Sequence, residues 1–187
     1  MAITIAYQGI IGSNSHAAAL AMAETLGLSD FDTIEAISSA GVVEALRTGK
    51  ATYGVMATHN IIAGEVIETK NALASLPHKI LCNHTLPIHH CLFAKNADII
   101  PTTIASHIQA LGQCKFYLAA HYPNAAQQEL PDTALGARYL NEGKLPDTTA
   151  VLCRQNAGEL FGLTLLAQDV EDLKENRTDF ILIEMAK

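Results

Sequence analysis

The polar loop 9–15 is the first stretch whose residue types could do chemistry. It carries Gly12, Ser13, Asn14 and Ser15, and an Ala-rich run that is predicted to be helical follows it. A Gly-containing loop that opens a helix directs free N–H groups and the positive end of the helix dipole outward, which suits a carboxylate. The alternative is an ordinary capped helix start, in which Ser13 or Ser15 bonds only to its own backbone.

A second group of reactive side chains lies between residues 82 and 91. Its members are all ligand types for zinc, which needs converging donors: Cys82, His84, His89, His90 and Cys91. Because this segment is predicted to form strands, successive side chains point to opposite faces and cannot all converge. We therefore expect no metal and no cofactor.

The composition restricts the class of partner. The chain has 187 residues, of which 49% are hydrophobic and 17% charged, so it can bury a core. Its net charge is −7 and its 12 Lys and Arg are scattered, which argues against nucleic acid because phosphate binding needs clustered basic groups. No apolar run reaches the roughly 18 to 20 residues that cross a membrane. No secretory leader is visible and the cysteines form no Cys-x-x-Cys pair, so we expect a cytoplasmic protein with reduced thiols.

Strands and helices alternate in the first half of the chain. The pattern predicts strands at 3–7, 33–38 and 52–57, with helices at 16–26, 39–47 and 66–75. Such alternation is typical of a parallel sheet covered by helices. The loops 9–15 and 58–64 then lie beyond the carboxyl ends of strands, where ligands bind in sheets of this kind.

The alternation breaks in the second half, which predicts a second lobe. Two strands, 79–82 and 88–93, are close in sequence and separated by Pro87. Further elements are predicted in the order helix, strand, helix, strand, helix, returning segment and final strand: 106–121, near 127, 132–141, 148–152, 155–161, 165–170 and 180–185. The predicted architecture is two α/β lobes with a ligand cleft between them.

Several segments, in the same order as in the family, resemble motifs of prephenate dehydratases. Tyr7 to Ser15 resembles the opening Tyr-x-Gly-Pro-x-Gly-Thr-Phe-Ser, and 86–92 resembles Leu-Pro-Ile-x-His-x-Leu. The segment 106–114, Ser-His-Ile-Gln-Ala-Leu-Gly-Gln-Cys, resembles Ser-His-Pro-Gln-Ala-Leu-x-Gln-Cys. Phe161-Gly162-Leu163, a spacer and then 176–180 resemble Tyr-Gly-Leu followed by Asn-x-Thr-Arg-Phe.

This resemblance implies a two-lobed α/β fold of the periplasmic-binding-protein type II class. One domain would span 1–187, with lobe 1 at about 1–78 plus 168–187 and lobe 2 at about 79–167, and without the regulatory domain that often follows in the family. The implied catalytic residues are Thr178, His59 and Asn60. The implied substrate-binding residues are Gly12, Ser13, Asn14, Ser15, Ser106, His107, Gln109 and Arg177.

Three departures from the family pattern lie where chemistry is expected. After Tyr53-Gly54-Val55 the family usually carries Pro-Ile-Glu-Asn-Ser, but here His59 replaces the Glu and Ile61 the Ser, while Asn60 is kept. Near the C terminus Asp179 replaces the Arg. A carboxylate reverses the Coulomb attraction of a guanidinium for an anion. Compensation by Arg177 is a less favoured alternative, since successive side chains of a strand point to opposite faces.

The departures leave three hypotheses for the function. We expect a decarboxylating lyase acting on prephenate, of the non-aromatising kind found in antibiotic and peptide pathways, with His59 as proton donor and a dihydro-4-hydroxyphenylpyruvate as product. The retained Thr178 instead favours a prephenate dehydratase that gives phenylpyruvate. A third hypothesis is a module that binds a carboxylated metabolite without converting it. A homodimer is expected, with the helix 66–75 as a possible contact.

Overall fold

The computed structural model describes residues 2–186, which form two compact units. Of these residues, unit 1 contains 2–10, 14–87 and 176–186, and unit 2 contains 11–13 and 88–175. None of the described helices is long and apolar enough to cross a membrane.

The elements alternate along most of the chain. The strands are β1 Ile3–Tyr7, β2 Phe31–Glu35, β3 Tyr53–Asn60, β4 Gly64–Glu65, β5 His78–Pro87, β6 Cys91–Ala94, β7 Thr103–Ser106, β8 Ala126–Glu129, β9 Thr149–Cys153, β10 Thr164–Ala167 and β11 Arg177–Met185. The helices are α1 Asn14–Thr25, α2 Ser39–Arg47, α3 Ile67–Leu73, α4 Ile108–Gln113, α5 Lys115–His121, α6 Thr133–Asn141 and α7 Gln155–Leu160.

Unit 1 is a sheet in the order β2-β1-β3-β11-β5, with β4 paired to β3. Strand β1 is parallel to β2 and β3, whereas β11 runs antiparallel to β3 and β5. Apolar clusters cover both faces, one built around α1 and the other around α2. At Gly54 a Cβ atom would lie 2.6 Å from Val42 Cγ1, so only glycine lets α2 pack this closely on β3.

Unit 2 is a sheet in the order β10-β6-β9-β7-β8. Strand β9 is parallel to β7 and antiparallel to β6. A buried cluster that includes Leu92, Ile104 and Leu152 packs against Leu111 and Leu118 of α4 and α5. A Cβ atom at Gly158 of α7 would lie 2.5 Å from the ring of Phe93, so this helix also requires a glycine at its contact with the sheet.

The predicted strand ends differ from those in the structure at several places. Strand β5 continues through to Pro87 instead of ending at residue 82, because its residues pair along the length of β11. Pro87 is tolerated because it is the last residue of a strand at the edge of the sheet. Strand β3 extends to Asn60, where an irregular loop was predicted, and β11 begins at Arg177 instead of 180. The predicted helix 106–121 is two helices that meet at Cys114.

The boundaries of the two units also lie further along the chain than the predicted lobe boundaries. The chain leaves unit 1 after Pro87 and returns at Asn176, whereas the predicted changes were at 78/79 and 167/168. At the first boundary the difference arises because β5 pairs with β11 in the sheet of unit 1. Along the chain, β5 directly precedes β6, which belongs to unit 2.

Candidate active site

Asn60 is the centre of a buried hydrogen-bond network in unit 1. Its Nδ2 donates to Thr178 Oγ1 at 2.8 Å, to Asn176 Oδ1 at 2.9 Å and to the Arg177 carbonyl at 3.1 Å. Its Oδ1 accepts from the backbone N–H groups of Ile62 and Ala63 at 3.0 and 2.9 Å. The amide is therefore occupied by protein partners, so Asn60 fixes the position of Thr178 and is not itself placed as a reacting group.

Thr178 has the geometry of a positioned hydroxyl donor. The residue is only 8% exposed, and it lies opposite Asn60 in the register of β11 and β3. Because its oxygen accepts from the Asn60 amide, its own O–H hydrogen can be donated elsewhere. A hydroxyl held in this way needs little reorganisation to stabilise a negative oxygen.

His59 and Asp179 form a second pair one residue away, and they are far more exposed. The side chain of His59 is 51% exposed and that of Asp179 49%, with Nδ1 and Oδ2 3.8 Å apart. Asp179 Oδ1 also accepts from the Thr85 hydroxyl at 2.6 Å. Since Asn60 and Thr178 are buried, the strand pair separates a buried amide–hydroxyl pair from an exposed His–Asp pair.

A β-bulge sets which of the two pairs lies on the buried face. Phe180 pairs with Ala57 and Asp179 with His59, so Thr58 is an extra residue in β3. Without it, Ala57 and His59 would share a face, because side chains alternate along a strand. The Thr58 hydroxyl donates to the Asp179 carbonyl at 3.1 Å, which holds the bulge in place.

Arg177 does not join the buried network through its side chain. The residue is exposed, and only its carbonyl takes part, accepting from Asn60 Nδ2 and from the N–H of Ile61. Arg177 and Asp179 are two residues apart on β11 and so share a face. Strand alternation therefore separates Arg177 from Thr178 and not from Asp179, so it does not exclude compensation of Asp179 by Arg177. Ile61 is also exposed.

In unit 2, Ser106, His107 and Gln109 follow the end of β7. Ser106 is fully buried, and its hydroxyl donates to the Leu152 carbonyl at 2.7 Å, so this side chain ties β7 to β9. His107 caps α4, with Nδ1 accepting from the Gln109 N–H at 3.3 Å. The Gln109 side chain is exposed. Of the three, His107 and Gln109 are the side chains that solvent or a ligand can reach.

The predicted loop 9–15 divides between the two units. Residues 11–13 belong to unit 2, and Asn14 is the first residue of α1 in unit 1. Gly12 has a φ of +86°, and a Cβ atom there would lie 3.1 Å from Ala157 of α7. Its backbone angle favours glycine, and a side chain there would also crowd Ala157. Ser13 and Ser15 are buried.

A polar cluster at the start of β6 is the one group among the described residues whose donors are spaced like metal ligands. His89 Nδ1 lies 3.0 Å from Glu171 Oε1 and 3.4 Å from Asp169 Oδ1. Lys174 already supplies a cation here, with Nζ 3.9 Å from Glu171 Oε1 and donating to the Asp169 carbonyl. The cysteines considered as ligands are elsewhere: Cys82 is in unit 1, and Cys91 is buried opposite Cys153.

Known proteins resemble the chain over nearly its whole length. A model of the prephenate dehydratase family matches residues 5–187. The chain belongs to the prephenate dehydratase family. It is 31% identical to arogenate dehydratase 1 of Petunia hybrida over 183 residues, covering 97% of this chain and 42% of the relative. It is 33% identical over 189 residues to the bifunctional chorismate mutase/prephenate dehydratase of Stutzerimonas stutzeri, covering 97% of this chain and 48% of the relative.

A solved member of the prephenate dehydratase family has the same fold. The structure of prephenate dehydratase from Arthrobacter aurescens in complex with L-Phe superposes with a TM-score of 0.85 at 26% identity, covering 99% of this chain and 60% of that chain. The predicted two-lobed α/β fold is thus confirmed. The chain spans less than half the length of the curated relatives named above.

The exposed pair, His59 and Asp179, occupies two positions at which this chain departs from the family pattern. Its usual residues at positions 59 and 179 are Glu and Arg, and the structure pairs these positions across β3 and β11. The family pattern would therefore place a Glu–Arg pair where this chain has a His–Asp pair. Two of the three departures therefore lie at positions that face each other across β3 and β11.

One buried carboxylate of unit 2 was not identified from the sequence. Glu171 accepts from the His90 N–H at 2.9 Å, and its side chain is fully buried. Burial alone would raise the pKa of Glu171, but hydrogen bonds from His90 and His89 outweigh it and lower that pKa.

Proposed function

We propose that the chain is a decarboxylating dehydratase of prephenate or of its amino analogue arogenate. In this reaction the bond to the ring carboxylate breaks and CO2 leaves. The released electron pair forms the last double bond of the aromatic ring, and the ring C–O bond breaks. The departing oxygen takes a proton and leaves as water. Arogenate is included because curated relatives of similar identity carry that substrate in their names.

The observation that carries this proposal is the Thr178 hydroxyl held by Asn60. Loss of the ring hydroxyl puts negative charge on the departing oxygen. A fixed O–H donor stabilises that charge in the transition state more than in the ground state, which is what raises a rate. The buried position of Thr178 strengthens the interaction, because water does not screen it.

The exposed pair supports this choice over the non-aromatising reaction. The loss of the family's Glu and Arg argued against dehydration when the two positions were taken separately. The two positions face each other on the exposed side of the strands. The buried positions 60 and 178 keep the Asn and Thr of the family pattern.

A second candidate, non-aromatising decarboxylation of prephenate, has one observation in its favour. An imidazole beside a carboxylate is a common arrangement for moving a proton, and His59 lies beside Asp179. In that reaction the electron pair left by CO2 takes a proton at a ring carbon, and the ring hydroxyl stays. The product would be a dihydro-4-hydroxyphenylpyruvate for specialised metabolism.

A product assay separates the candidates. The purified chain is incubated with prephenate and, separately, with arogenate, and the products are compared with protein-free controls by chromatography and mass spectrometry. Phenylpyruvate from prephenate or phenylalanine from arogenate is the expected result. A product that has lost CO2 but kept the hydroxyl would replace the proposal with the second candidate. Ligand-induced thermal stabilisation without any product would leave only the binding module.

We also propose that the chain acts in the cytoplasm as a homodimer. One apolar surface supports the dimer: Ile67 on α3 is more than half exposed, and α3 lies within the helix 66–75 that is expected to form the contact. Sedimentation of the wild-type protein and of an Ile67→Glu variant tests this contact, which predicts a dimer for the first and a monomer for the second.

A further inference from the structure

Unit 2 contains three side chains of ligand type that the fold brings together: His89, Asp169 and Glu171, here called the His89 cluster. Each offers one donor atom, and these atoms lie within 4.8 Å of one another. His89 lies just before β6, and the two carboxylates lie between β10 and β11. The sequence analysis considered ligands from residues 82–91 alone, so it did not include the two carboxylates.

The spacing of the donor atoms fits a single ion. His89 Nδ1 is 3.0 Å from Glu171 Oε1 and 3.4 Å from Asp169 Oδ1. Ligand atoms that bind one Zn²⁺ tetrahedrally at about 2.0–2.2 Å lie roughly 3.3 to 3.6 Å apart. The two distances from the imidazole are therefore close to those that a bound ion imposes, and the third, between the carboxylates, is at most 4.8 Å.

A hydrogen bond from His89 does not account for both carboxylates. Nδ1 carries at most one hydrogen, and the Glu171 oxygen is the nearer acceptor at 3.0 Å. Asp169 Oδ1 lies at 3.4 Å from the same nitrogen, which has no second hydrogen for it. A divalent cation bound by all three donors would attract both carboxylates at once.

Glu171 is held in the orientation that a ligand needs. Its side chain is fully buried, and its Oε2 accepts from the His90 N–H at 2.9 Å, while Oε1 is directed at His89. The His90 ring is in turn held by Gln113 at 2.8 Å. Partners of this kind fix the orientation of ligands in metal sites. The side chains of His89 and Asp169 are about half exposed, so an ion and its water ligands can reach the cluster from solvent.

Lys174 balances part of the charge of the His89 cluster. Its Nζ lies 3.9 Å from Glu171 Oε1 and donates to the Asp169 carbonyl. With a neutral His89, two carboxylates and one ammonium leave one negative charge in the cluster. The lysine side chain is mostly exposed and flexible, so it can move into solvent. A divalent ion in its place would neutralise both carboxylates.

The donor set selects the class of metal. Imidazole suits Zn²⁺ and other first-row transition ions, whereas Mg²⁺ and Ca²⁺ prefer sites built from oxygen. We propose that the His89 cluster binds one divalent transition-metal ion, with Lys174 as the cation that this ion displaces. The ion would fasten the segment 169–171 to the residue that leads into β6 and so stabilise unit 2. The site goes beyond the proposed function, because it needs no substrate.

Titration of the metal-free purified chain with Zn²⁺, followed by calorimetry and by thermal unfolding, tests the site. The wild type should bind one Zn²⁺ at least about tenfold more tightly than His89→Ala or Asp169→Asn, and it should gain more thermal stability from the ion. Asparagine suits position 169 because it tolerates the left-handed backbone there, at φ 49°. Lys174→Gln should bind Zn²⁺ more tightly than the wild type, and Mg²⁺ should bind the wild type at least about tenfold more weakly than Zn²⁺.

The matched control is His84→Ala, which removes a histidine of unit 1 and should leave the affinity for Zn²⁺ unchanged. Equal affinity in the wild type, His89→Ala and Asp169→Asn would mean an adventitious ion only, bound by other histidines or thiols, and would overturn the proposal. A Lys174→Gln variant that binds no more tightly than the wild type would overturn the displacement of Lys174. Thermal unfolding of each variant without metal confirms that it is folded, and the product assay decides the function separately.

Discussion

The two units repeat one local arrangement with different chemistry. In unit 1 the exposed His59 precedes the buried Asn60, and in unit 2 the exposed His89 precedes the buried His90. Each exposed histidine faces an aspartate, His59 at 3.8 Å from Asp179 and His89 at 3.4 Å from Asp169. In both units a His–Asp pair thus lies beside a buried polar network.

The networks differ in whether they can ionise. Asn60 binds Thr178 and Asn176, which are neutral at every ordinary pH. His90 instead binds Gln113 through its ring, and its N–H binds the Glu171 carboxylate. Unit 1 thus holds its hydroxyl donor by a network of neutral groups, whereas the network of unit 2 contains two groups that can take up a proton, His90 and Glu171.

The largest expected effect is on turnover, from Thr178→Val. Valine keeps the shape of threonine but has no O–H to donate, so kcat should fall by about a hundredfold or more. Steady-state assays of product formation measure this. The matched control is Thr149→Val, because the buried Thr149 hydroxyl has no hydrogen-bond partner among the described residues. Equal kcat in Thr178→Val and the wild type would remove Thr178 from the chemistry.

The next effect is on stability, from Asn60→Ala. This change leaves the Thr178 and Asn176 oxygens, which are buried, and two part-buried backbone N–H groups without the amide, so the free energy of unfolding should fall by about 2 kcal/mol. Urea unfolding followed by circular dichroism measures it. Asn71→Ala on the exposed side of α3 is the control, with an expected change below about 0.5 kcal/mol. Similar values for the two variants would show that the network is not structural.

The pH dependence of unfolding sharpens the contrast between the networks. Burial lowers the pKa of His90, although its bond to Gln113 and the charge of Glu171 act in the opposite direction. The unfolded chain then binds a proton at His90 below about pH 6.5 while the folded chain does not, so stability should fall as the pH drops through that value. Glu171, with its lowered pKa, adds stability above its unfolded pKa that is lost at still lower pH.

Urea unfolding between pH 8 and 5 tests this for the wild type and for His90→Asn. The variant should lose less stability per pH unit over this range. Part of the slope should remain, because burial also lowers the pKa of His16 in unit 1. An unchanged slope in His90→Asn would mean that its network does not make unit 2 sensitive to acid.

The smallest effect is expected from restoring the family's charges in the exposed pair. In the double variant His59→Glu/Asp179→Arg the coupling energy should be about 0.2 to 1 kcal/mol, because exposed ion pairs contribute little. A double-mutant cycle of urea unfolding measures it. Turnover should change less than in Thr178→Val. A rise in kcat of more than about tenfold would instead place the exposed pair in the reaction.

The general fold was predictable from the sequence because each half of the chain carries local signals. Alternating strand and helix patterns, and motifs such as 106–114, identified the elements and their family. The choice of Thr178 and Asn60 from family motifs also places two residues that the structure brings within hydrogen-bond distance. Their roles stay predictions.

The faces of the strands were not predictable. Side-chain alternation would have placed His59 with Ala57, and only the bulge at Thr58 turns His59 outward. A bulge depends on pairing between residues more than a hundred positions apart, so no local pattern reports it. For the same reason the pairing of His59 with Asp179, and the long ladder between β5 and β11, appeared only in the structure.

The position of β5 at the margin of its sheet has a consequence for solubility. This ten-residue strand ends the strand order of unit 1, and a long open edge can recruit strands of other molecules and start aggregation. Ile80 on this strand is apolar and exposed. Its neighbour Lys79 carries an exposed charge, which opposes pairing with another strand. We expect Lys79→Val to precipitate at concentrations where the natural sequence stays dispersed, even though it removes no residue of either network.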